Sequence, residues 1–243
     1  MDRLIYTAVS GANRSLMQQQ IHANNLSNAN TDGFRADLER ATSEVINGYG
    51  YHSRVQVSSS NGGIDLTPGV LQETGRDLDV AIKGSGLFAV RDAGREAYTR
   101  SGHIEVDDAG NLTIRGKPLL GIGGPIQLPP FTQVSVGVDG TITIVPDDGD
   151  VQAAFDVDRI KLVDIPAARL SKNNQGLMVT NRAVNPASEE VRLTAGHLEA
   201  SNVSAIDEMV QTIALSRHFE TQIKMMKVAD TLAQAGNRLI RGT

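Results

Sequence analysis

The chain has no cysteine and no tryptophan, and only five phenylalanines and four tyrosines in 243 residues. Without thiols there can be no disulfide, no thiol nucleophile and no cysteine-ligated zinc. Aromatic side chains dominate ligand pockets and binding hot spots, so their scarcity argues against a small-molecule enzyme. No apolar run approaches the roughly 20 residues that span a bilayer as a helix. The opening Met1-Asp2-Arg3-Leu4 lacks the apolar core of a secretory signal. The 23 basic residues, against 28 acidic ones, form no stripe interleaved with aromatics, so nucleic acid is not an expected partner. A hydrophobic content of 40% is enough for a core, and the length fits one or two domains.

What the chain does have stands at its two ends. Residues 1–34 and 197–243 both read as long amphipathic helices. In the first, Asp2 suits an N-cap. Ile5, Val9, Ala12, Leu16, Ala23 and Leu26 then recur at alternating spacings of four and three, with polar Gln19 in the missing place, which is a heptad seam. Leu4, Tyr6 and Met17 lie off that seam, so more than one face is apolar. The helix should stop near Asn28, and Asn30-Thr31-Asp32-Gly33 supplies turn chemistry with Gly33 free to take a positive φ. The cluster Asn24, Asn25, Asn28 and Asn30 fits helix termination, and it also fits a lateral set of amide hydrogen bonds between subunits.

At the other end, Ser204-Ala205-Ile206-Asp207 resembles a capping box with Asp in place of Glu. One apolar stripe holds Ile206, Met209, Val210 and Ile213; a second runs through Leu215, Phe219, Met226, Ala229 and Ala233. About 35 helical residues would reach about 50 Å. A helix apolar over so much of its girth must be covered on several sides, so neighbouring molecules are implied.

Between the ends the period is two. Residues 35–75 read as a connecting segment: Glu39 to Ile46 fits helix or loop, Val55–Val57 and Ile64–Leu66 fit short strands, and 47–50 and 58–63 look flexible. Over residues 76–196, alternating pairs such as Val80 and Ile82, Phe88 and Val90, and Leu112 and Ile114 are bounded by Gly, Asp and Asn. The clearest hairpin is Val134–Val138, Asp139-Gly140, Thr141–Val145. Gly121 to Pro130 is a loop, and further strands fit 160–163, 177–180 and 191–194. The expected fold class is α+β, with long N- and C-terminal helices forming a coiled-coil-like domain around a central antiparallel β-rich domain of barrel- or sandwich-like build. The expected domains are 1–34 plus 197–243, the connecting segment 35–75, and the β-domain 76–196.

Catalytic and ligand motifs fall short. Gly84-Ser85-Gly86 is one residue short of a nucleophile elbow, and no His or acid is expected to be tied to it. Gly121-Ile122-Gly123-Gly124 lacks the third glycine of a dinucleotide fingerprint, and Gly116-Lys117 is followed by Pro118 where a P-loop needs Ser or Thr. Asp147-Asp148-Gly149-Asp150 reads as a solvated acidic turn rather than a calcium loop, and the five histidines show no ligand spacing. No cofactor, metal or catalytic residue is expected. Two other classes compete with a structural subunit. One is a cell-wall-acting glycosidase drawing on Asp77, Asp79, Asp107 and Asp108. The other is a surface-binding β-domain protein, which would be a folded, soluble monomer.

Specific stretches decide among these. Ala23-Asn24-Asn25-Leu26-Ser27-Asn28-Ala29-Asn30-Thr31-Asp32-Gly33-Phe34 resembles the N-terminal signature of bacterial flagellar rod and hook proteins. Leu78–Phe88 resembles their central motif, Tyr98-Thr99-Arg100-Ser101-Gly102 and Gly116–Gly121 the stretches after it, and Ser201-Asn202-Val203 with Glu208-Met209-Val210 the C-terminal signature. These matches span nearly the whole chain in the family's order. Length and the opening Met1–Tyr6 resemble a proximal-rod member, with distal-rod and hook members as alternatives. Ala200 stands where the family often has Gly, and Ser216-Arg217-His218-Phe219 replaces a more usual Gln-Arg-Ala-Tyr.

The resemblance implies a subunit exported through the flagellum's type III apparatus without a cleaved signal peptide. It implies polymerisation in the periplasm, through the terminal helices, into the helical shaft that carries torque from motor to hook. Implied partners are further copies of itself, neighbouring rod proteins, the export apparatus, and ring or rod-cap proteins. The expected assembly interface comprises the seam from Ile5 to Leu26 already named, Asn24, Asn25, Asn28, Gly33, Phe34, Ser201, Asn202, Val203, Ile206, Met209, Val210, Ile213, Phe219 and Met226.

Overall fold

A computed structural model describes residues 2–45, 55–147 and 153–242. The chain forms two compact units. The first holds Met1–Ser27, Asp37–Gly62 and Ser204–Thr243, and the second holds Asn28–Ala36 and Gly63–Val203.

The first unit contains two helices, α1 (Asp2–Ser27) and α2 (Ala205–Arg241). Neither contains proline, and each carries one interior glycine, so nothing breaks the helical ladder. Ser204 caps α2: its backbone is extended, and its Oγ accepts from the Asp207 N–H at 3.4 Å. The helices run antiparallel, since Asn25 and His22 meet Glu208, Ser15 meets His218, and Gly11 lies against Gln222. The buried face of α1 is made of small or polar groups: Ala8, Ala12, Ser15 and Asn25. Small residues at spacings of three and four let the two backbones approach closely.

A two-stranded ribbon, Asp37–Val45 paired with Val55–Ile64, contributes its residues up to Gly62 to this unit. It folds back along α1. The Asn25 side chain accepts from the Asp37 N–H at 2.9 Å and donates to the Asp37 carbonyl at 3.1 Å, so an amide replaces a strand neighbour. Further along, Arg14 Nε meets Glu39 at 3.2 Å and Gln18 donates to the same carboxylate.

The second unit is built of small antiparallel sheets. Its largest has five strands in the order Leu162–Val163, Leu87–Asp92, Arg95–Thr99, Met178–Val179 and Ser171–Lys172. Phe88, Val90 and Ala97 face one core with Val80, Ile82, Ile104, Leu112 and Ile114; Leu87, Ala89, Tyr98, Val163 and Met178 face a second core. A sheet covered on both faces needs apolar residues at every position, hence the unbroken Leu87-Phe88-Ala89-Val90. The hairpin Phe131–Val136 with Thr141–Pro146 adds a third strand, Phe155–Arg159. Its turn closes with Gly140 N–H donating to the Gly137 carbonyl at 2.9 Å, and Gly140 takes a φ of 89° that glycine adopts without strain.

Beneath the second face lies a polar network. Tyr98 donates to Glu96 at 2.8 Å, Asn185 Nδ2 donates to the Tyr98 oxygen at 2.8 Å, and Lys161 holds Glu96 at 2.5 Å. Burial alone would raise the Glu96 carboxyl, but hydrogen bonds from Lys161, Tyr98 and the Asn185 N–H hold it below the usual glutamate range. Burial, with the Glu96 contact, pushes the Tyr98 phenol up to about 12 against the opposing Asn185 bond. The unfolded phenol releases its proton near pH 10, where the folded one still holds it. Stability therefore falls as pH rises from 10 to 12, by about 1.4 kcal/mol per unit from this group. Urea titrations across that range should show a shallower alkaline decline for Tyr98→Phe than for the wild type. Equal slopes would refute the assignment.

The expected fold class needs correction. Helices flank a sheet-rich domain, but the terminal helices do not by themselves form a coiled-coil-like domain, because the ribbon residues 37–45 and 55–62 are part of their unit. Nor is the helix pair a heptad seam of large apolar residues. Val9 and Leu16 of that seam are exposed, and alanine, glycine and serine make the contact. The β-rich part is neither a single barrel nor a two-sheet sandwich: strands of two to six residues pair in several separate sheets among the described residues. Short strands with many turns cannot close one continuous ladder. Residues 58–63 are paired strand rather than flexible loop, and His197–Glu199 is strand rather than the start of the last helix. Residues 47–50 and 148–150 lie outside the described residues.

Candidate assembly surfaces

The expected interface residues of the first unit fall into three groups. Ala12 and Asn25 are buried in the intramolecular contact of α1. Ile5, Leu26, Phe219 and Met226 are half-buried. Val9, Leu16, Ala23, Asn24, Ile206, Met209, Val210 and Ile213 are exposed. On α1 the exposed apolar side chains Tyr6, Val9, Leu16 and Met17 sit about one and two turns apart along one side. On α2, Ile206, Met209, Val210 and Ile213 follow i, i+3, i+4, i+7, and Met225, Val228 and Leu232 make a second exposed stripe. Ile206 is 71% exposed and Tyr6 is 75% exposed, far beyond what a helix buries when its own chain supplies the partner.

His218 and His22 sit at the helix contact. Ser15 Oγ donates to the Gly11 carbonyl at 3.0 Å, so its oxygen is left to accept from His218 Nδ1 at 2.9 Å. His22 meets Glu208 through its Nδ1. The Asn cluster has divided roles: Asn28 receives Thr31 at both its backbone and side-chain oxygens and ends the helix, while Asn25 pins the ribbon.

The remaining expected residues meet in the second unit, where the chain segments 28–36 and 199–203 lie together. Gly33 has a φ of +65°, and a Cβ there would lie 2.2 Å from Ser101 N, so only glycine fits. Its N–H donates to the Glu199 carbonyl at 2.6 Å. Phe34 is buried under the Lys172 ammonium, 3.9 Å from the ring centroid. Asn202 accepts from the Ala36 N–H at 2.8 Å and donates to the Asp65 and Thr67 carbonyls at 3.1 Å each. Ser201 and Val203 are half-buried, and the Val203 N–H donates to Ser201 Oγ at 3.2 Å.

At the centre stands an ionic triad that the sequence reading missed. Glu199 accepts from Arg35 at 2.6 Å through one oxygen and from Arg100 Nε at 2.5 Å through the other, and all three side chains are at most 2% exposed. The Gly69 N–H adds a third donor at 2.8 Å. The rest of the Arg100 guanidinium is spent on the carbonyls of Ile82, Gly84 and Gly86, at 2.8, 2.6 and 2.6 Å. Arg100 belongs to Tyr98–Gly102 and the carbonyls to Leu78–Phe88, so two of the quoted stretches are joined by one side chain. Burial lowers the Arg35 guanidinium from its ordinary value, Glu199 opposes this, and the like charge of Arg100 adds to it. Arg100 follows the strand Arg95–Thr99 and Arg35 follows Phe34, and nothing in their local pattern marks them as partners.

Two of the four acids that a glycosidase would draw on are otherwise employed, while Asp77 and Asp108 are exposed. Asp79 is buried against Arg76 and His103, at 3.0 and 2.9 Å. Asp107 closes its own turn, accepting from Asn111 and Ala109, and these bonds hold its carboxyl below the usual aspartate range. Among the described residues no group of His, Asp and Glu is arranged to hold a metal ion.

Comparison with known proteins gives a family at each part of the chain. Residues 5–35 match the family described as "Flagella basal body rod protein", residues 81–144 "Flagellar hook protein FlgE/F/G D1 domain", and residues 194–239 "Flagellar basal body rod FlgEFG protein C-terminal". The chain is 38% identical to the flagellar basal-body rod protein FlgF of Escherichia coli K12 and 37% identical to that of Salmonella typhimurium LT2, each over 99% of both chains. It is 30% identical to FlgG of Bacillus subtilis 168, over 96% of this chain and 97% of that one. Full-length similarity at these levels, with all the signature stretches in order, means that the chain belongs to the FlgF family of flagellar basal-body rod proteins.

Proposed function

We propose that this structural subunit of the proximal rod enters the basal body through α1 and α2, whose exposed apolar faces pack on neighbouring copies and other rod proteins. The observation that carries this reading is the pair of exposed stripes, on α1 from Tyr6 to Met17 and on α2 from Ile206 to Ile213, opposite the faces the helices use on each other. A contact between unlike surfaces that does not close generates a helical filament. The terminal segments 1–34 and 197–243 are the assembly part in this reading. Delivery by the type III export apparatus, and contacts to ring or rod-cap proteins, belong to the same reading. The chain acts by shape and rigidity, without catalysis.

Limited proteolysis of the purified monomer, with mass spectrometry of the products, tests it. Both helices should be digested early, leaving a core that retains residues 63–203. Helices that cannot bury their apolar faces gain too little to remain ordered against cleavage. A full-length chain resistant at both ends would refute the reading that α1 and α2 need neighbouring molecules to cover them.

A further inference from the structure

We infer that the segments Gly33–Ala36 and Glu199–Asn202 dock on the second unit in a fixed hierarchy, with the C-terminal segment first and Glu199 as the gate for the N-terminal one. The partners of each segment differ in kind. Glu199–Asn202 has its own seats on the body of the unit. Glu199 pairs with Leu71 across the strand, its carboxylate takes Arg100 and the Gly69 N–H, the Ala200 N–H donates to the Val70 carbonyl at 2.9 Å, and Asn202 donates to Asp65 and Thr67. None of these needs residues 33–36.

Gly33–Ala36, in contrast, leans on the other segment at each step. The Gly33 N–H goes to the Glu199 carbonyl, the Phe34 carbonyl receives the Asn202 N–H at 3.3 Å, the Ala36 N–H goes to the Asn202 side chain, and the Arg35 charge is met by Glu199. Four contacts are independent of it, and none of them places a carboxylate on the Arg35 guanidinium: Arg35 donates to the Thr67 carbonyl, Lys172 donates to the Arg35 carbonyl at 2.6 Å, the Phe34 ring lies under the Lys172 ammonium, and the Asp65 N–H donates to the Ala36 carbonyl at 2.9 Å.

The two half-docked states are therefore unequal. With Glu199 seated and Arg35 absent, a buried carboxylate faces one guanidinium and a backbone N–H, and every charge is paired. With Arg35 seated and Glu199 absent, two buried guanidiniums repel each other, and only the Asp65 carboxylate, which makes no ion pair with it, still acts on Arg35. An uncompensated buried charge is strongly disfavoured, and a like pair more so. Arg35 Nε has no hydrogen-bond partner even when the triad is complete, so without Glu199 the guanidinium keeps only the Thr67 carbonyl. The segments are 166 residues apart at Ala36 and Asn202, so during synthesis the first waits for the second to exist.

Hydrogen exchange with mass spectrometry on the full monomer reads both segments at once. Arg35→Met should speed exchange in peptides covering 28–36 by at least about tenfold and leave 197–203 unchanged. Glu199→Gln should speed both. Asn202→Ala, a milder change, should loosen 28–36 more than 197–203, and it keeps the test open if Glu199→Gln does not fold. Equal loosening of the two segments by Arg35→Met would overturn the hierarchy, as would 28–36 keeping its protection in Glu199→Gln. The readout is taken on the monomer, so it does not depend on how the chain assembles.

Discussion

With aspartate in place of Leu16, the chain is expected to fold and yet to be missing from purified basal bodies. Leu16 is 42% exposed in the middle of α1, so the monomer loses little beyond helix propensity, about 0.5 kcal/mol. The same position lies among Tyr6, Val9 and Met17 on the apolar side that the helix does not turn toward α2. If a neighbour covers that side, the new carboxylate is desolvated with no cation to meet it. A penalty of about 3 kcal/mol or more follows, roughly 100-fold per contact, and a filament repeats the contact at every subunit. Leu16→Met keeps the apolar volume and should assemble. The measurement is the amount of each variant in basal bodies isolated from cells lacking the native chain, beside the circular dichroism of the free protein. Normal incorporation of the aspartate variant would show that this side faces solvent in the rod.

That prediction also marks where sequence stopped being informative. The apolar residues of α1 and α2 were plain, and so was their excess over what one partner can cover. Their period says which side chains avoid water, but not whether the cover comes from the same molecule. Ala8, Gly11, Ala12 and Ser15 make the intramolecular contact because they are small, and small residues carry little hydropathy signal. Val9 and Leu16, the stronger signal, were left outside it. In the β-region the alternation at Val80, Ile82, Phe88 and Val90 and the Asp139-Gly140 turn could be read locally. The pairing of Arg192–Ala195 with Val80–Lys83 could not, because it joins strands more than a hundred residues apart with no local mark. The ribbon strand Asp37–Val45 was missed for a different reason. Its sequence, Asp-Leu-Glu-Arg-Ala-Thr-Ser-Glu-Val, is mostly polar, and its seat is provided by side chains of α1: Asn25, Arg14 and Gln18.

Arg100→Met should cost the second unit most of its stability. The substitution keeps the length and apolar stem of the side chain and removes only the guanidinium. Three carbonyls, those of Ile82, Gly84 and Gly86, then lose their buried donor, and Glu199 keeps only Arg35 and the Gly69 N–H. An unmet buried acceptor costs about 1–3 kcal/mol, and breaking a buried pair from one side costs about 3–5 kcal/mol. These do not add in full because the groups share one site; a net loss of about 4–6 kcal/mol is expected, against a typical total of about 5–15 kcal/mol. A second variant separates charge from hydrogen bonding. In Arg35→Met/Arg100→Met/Glu199→Leu no charge is left unpaired, and a site held by ion pairing alone would recover its stability. Here it should not recover, because the buried carbonyls of Ile82 and Gly86 still have no donor. Urea unfolding of the full chain, followed by far-ultraviolet circular dichroism, measures both variants. A loss below about 1 kcal/mol for Arg100→Met, or full recovery in the triple variant, would mean that the backbone at Gly84-Ser85-Gly86 holds its turn unaided and that Arg100 fills space rather than organising it.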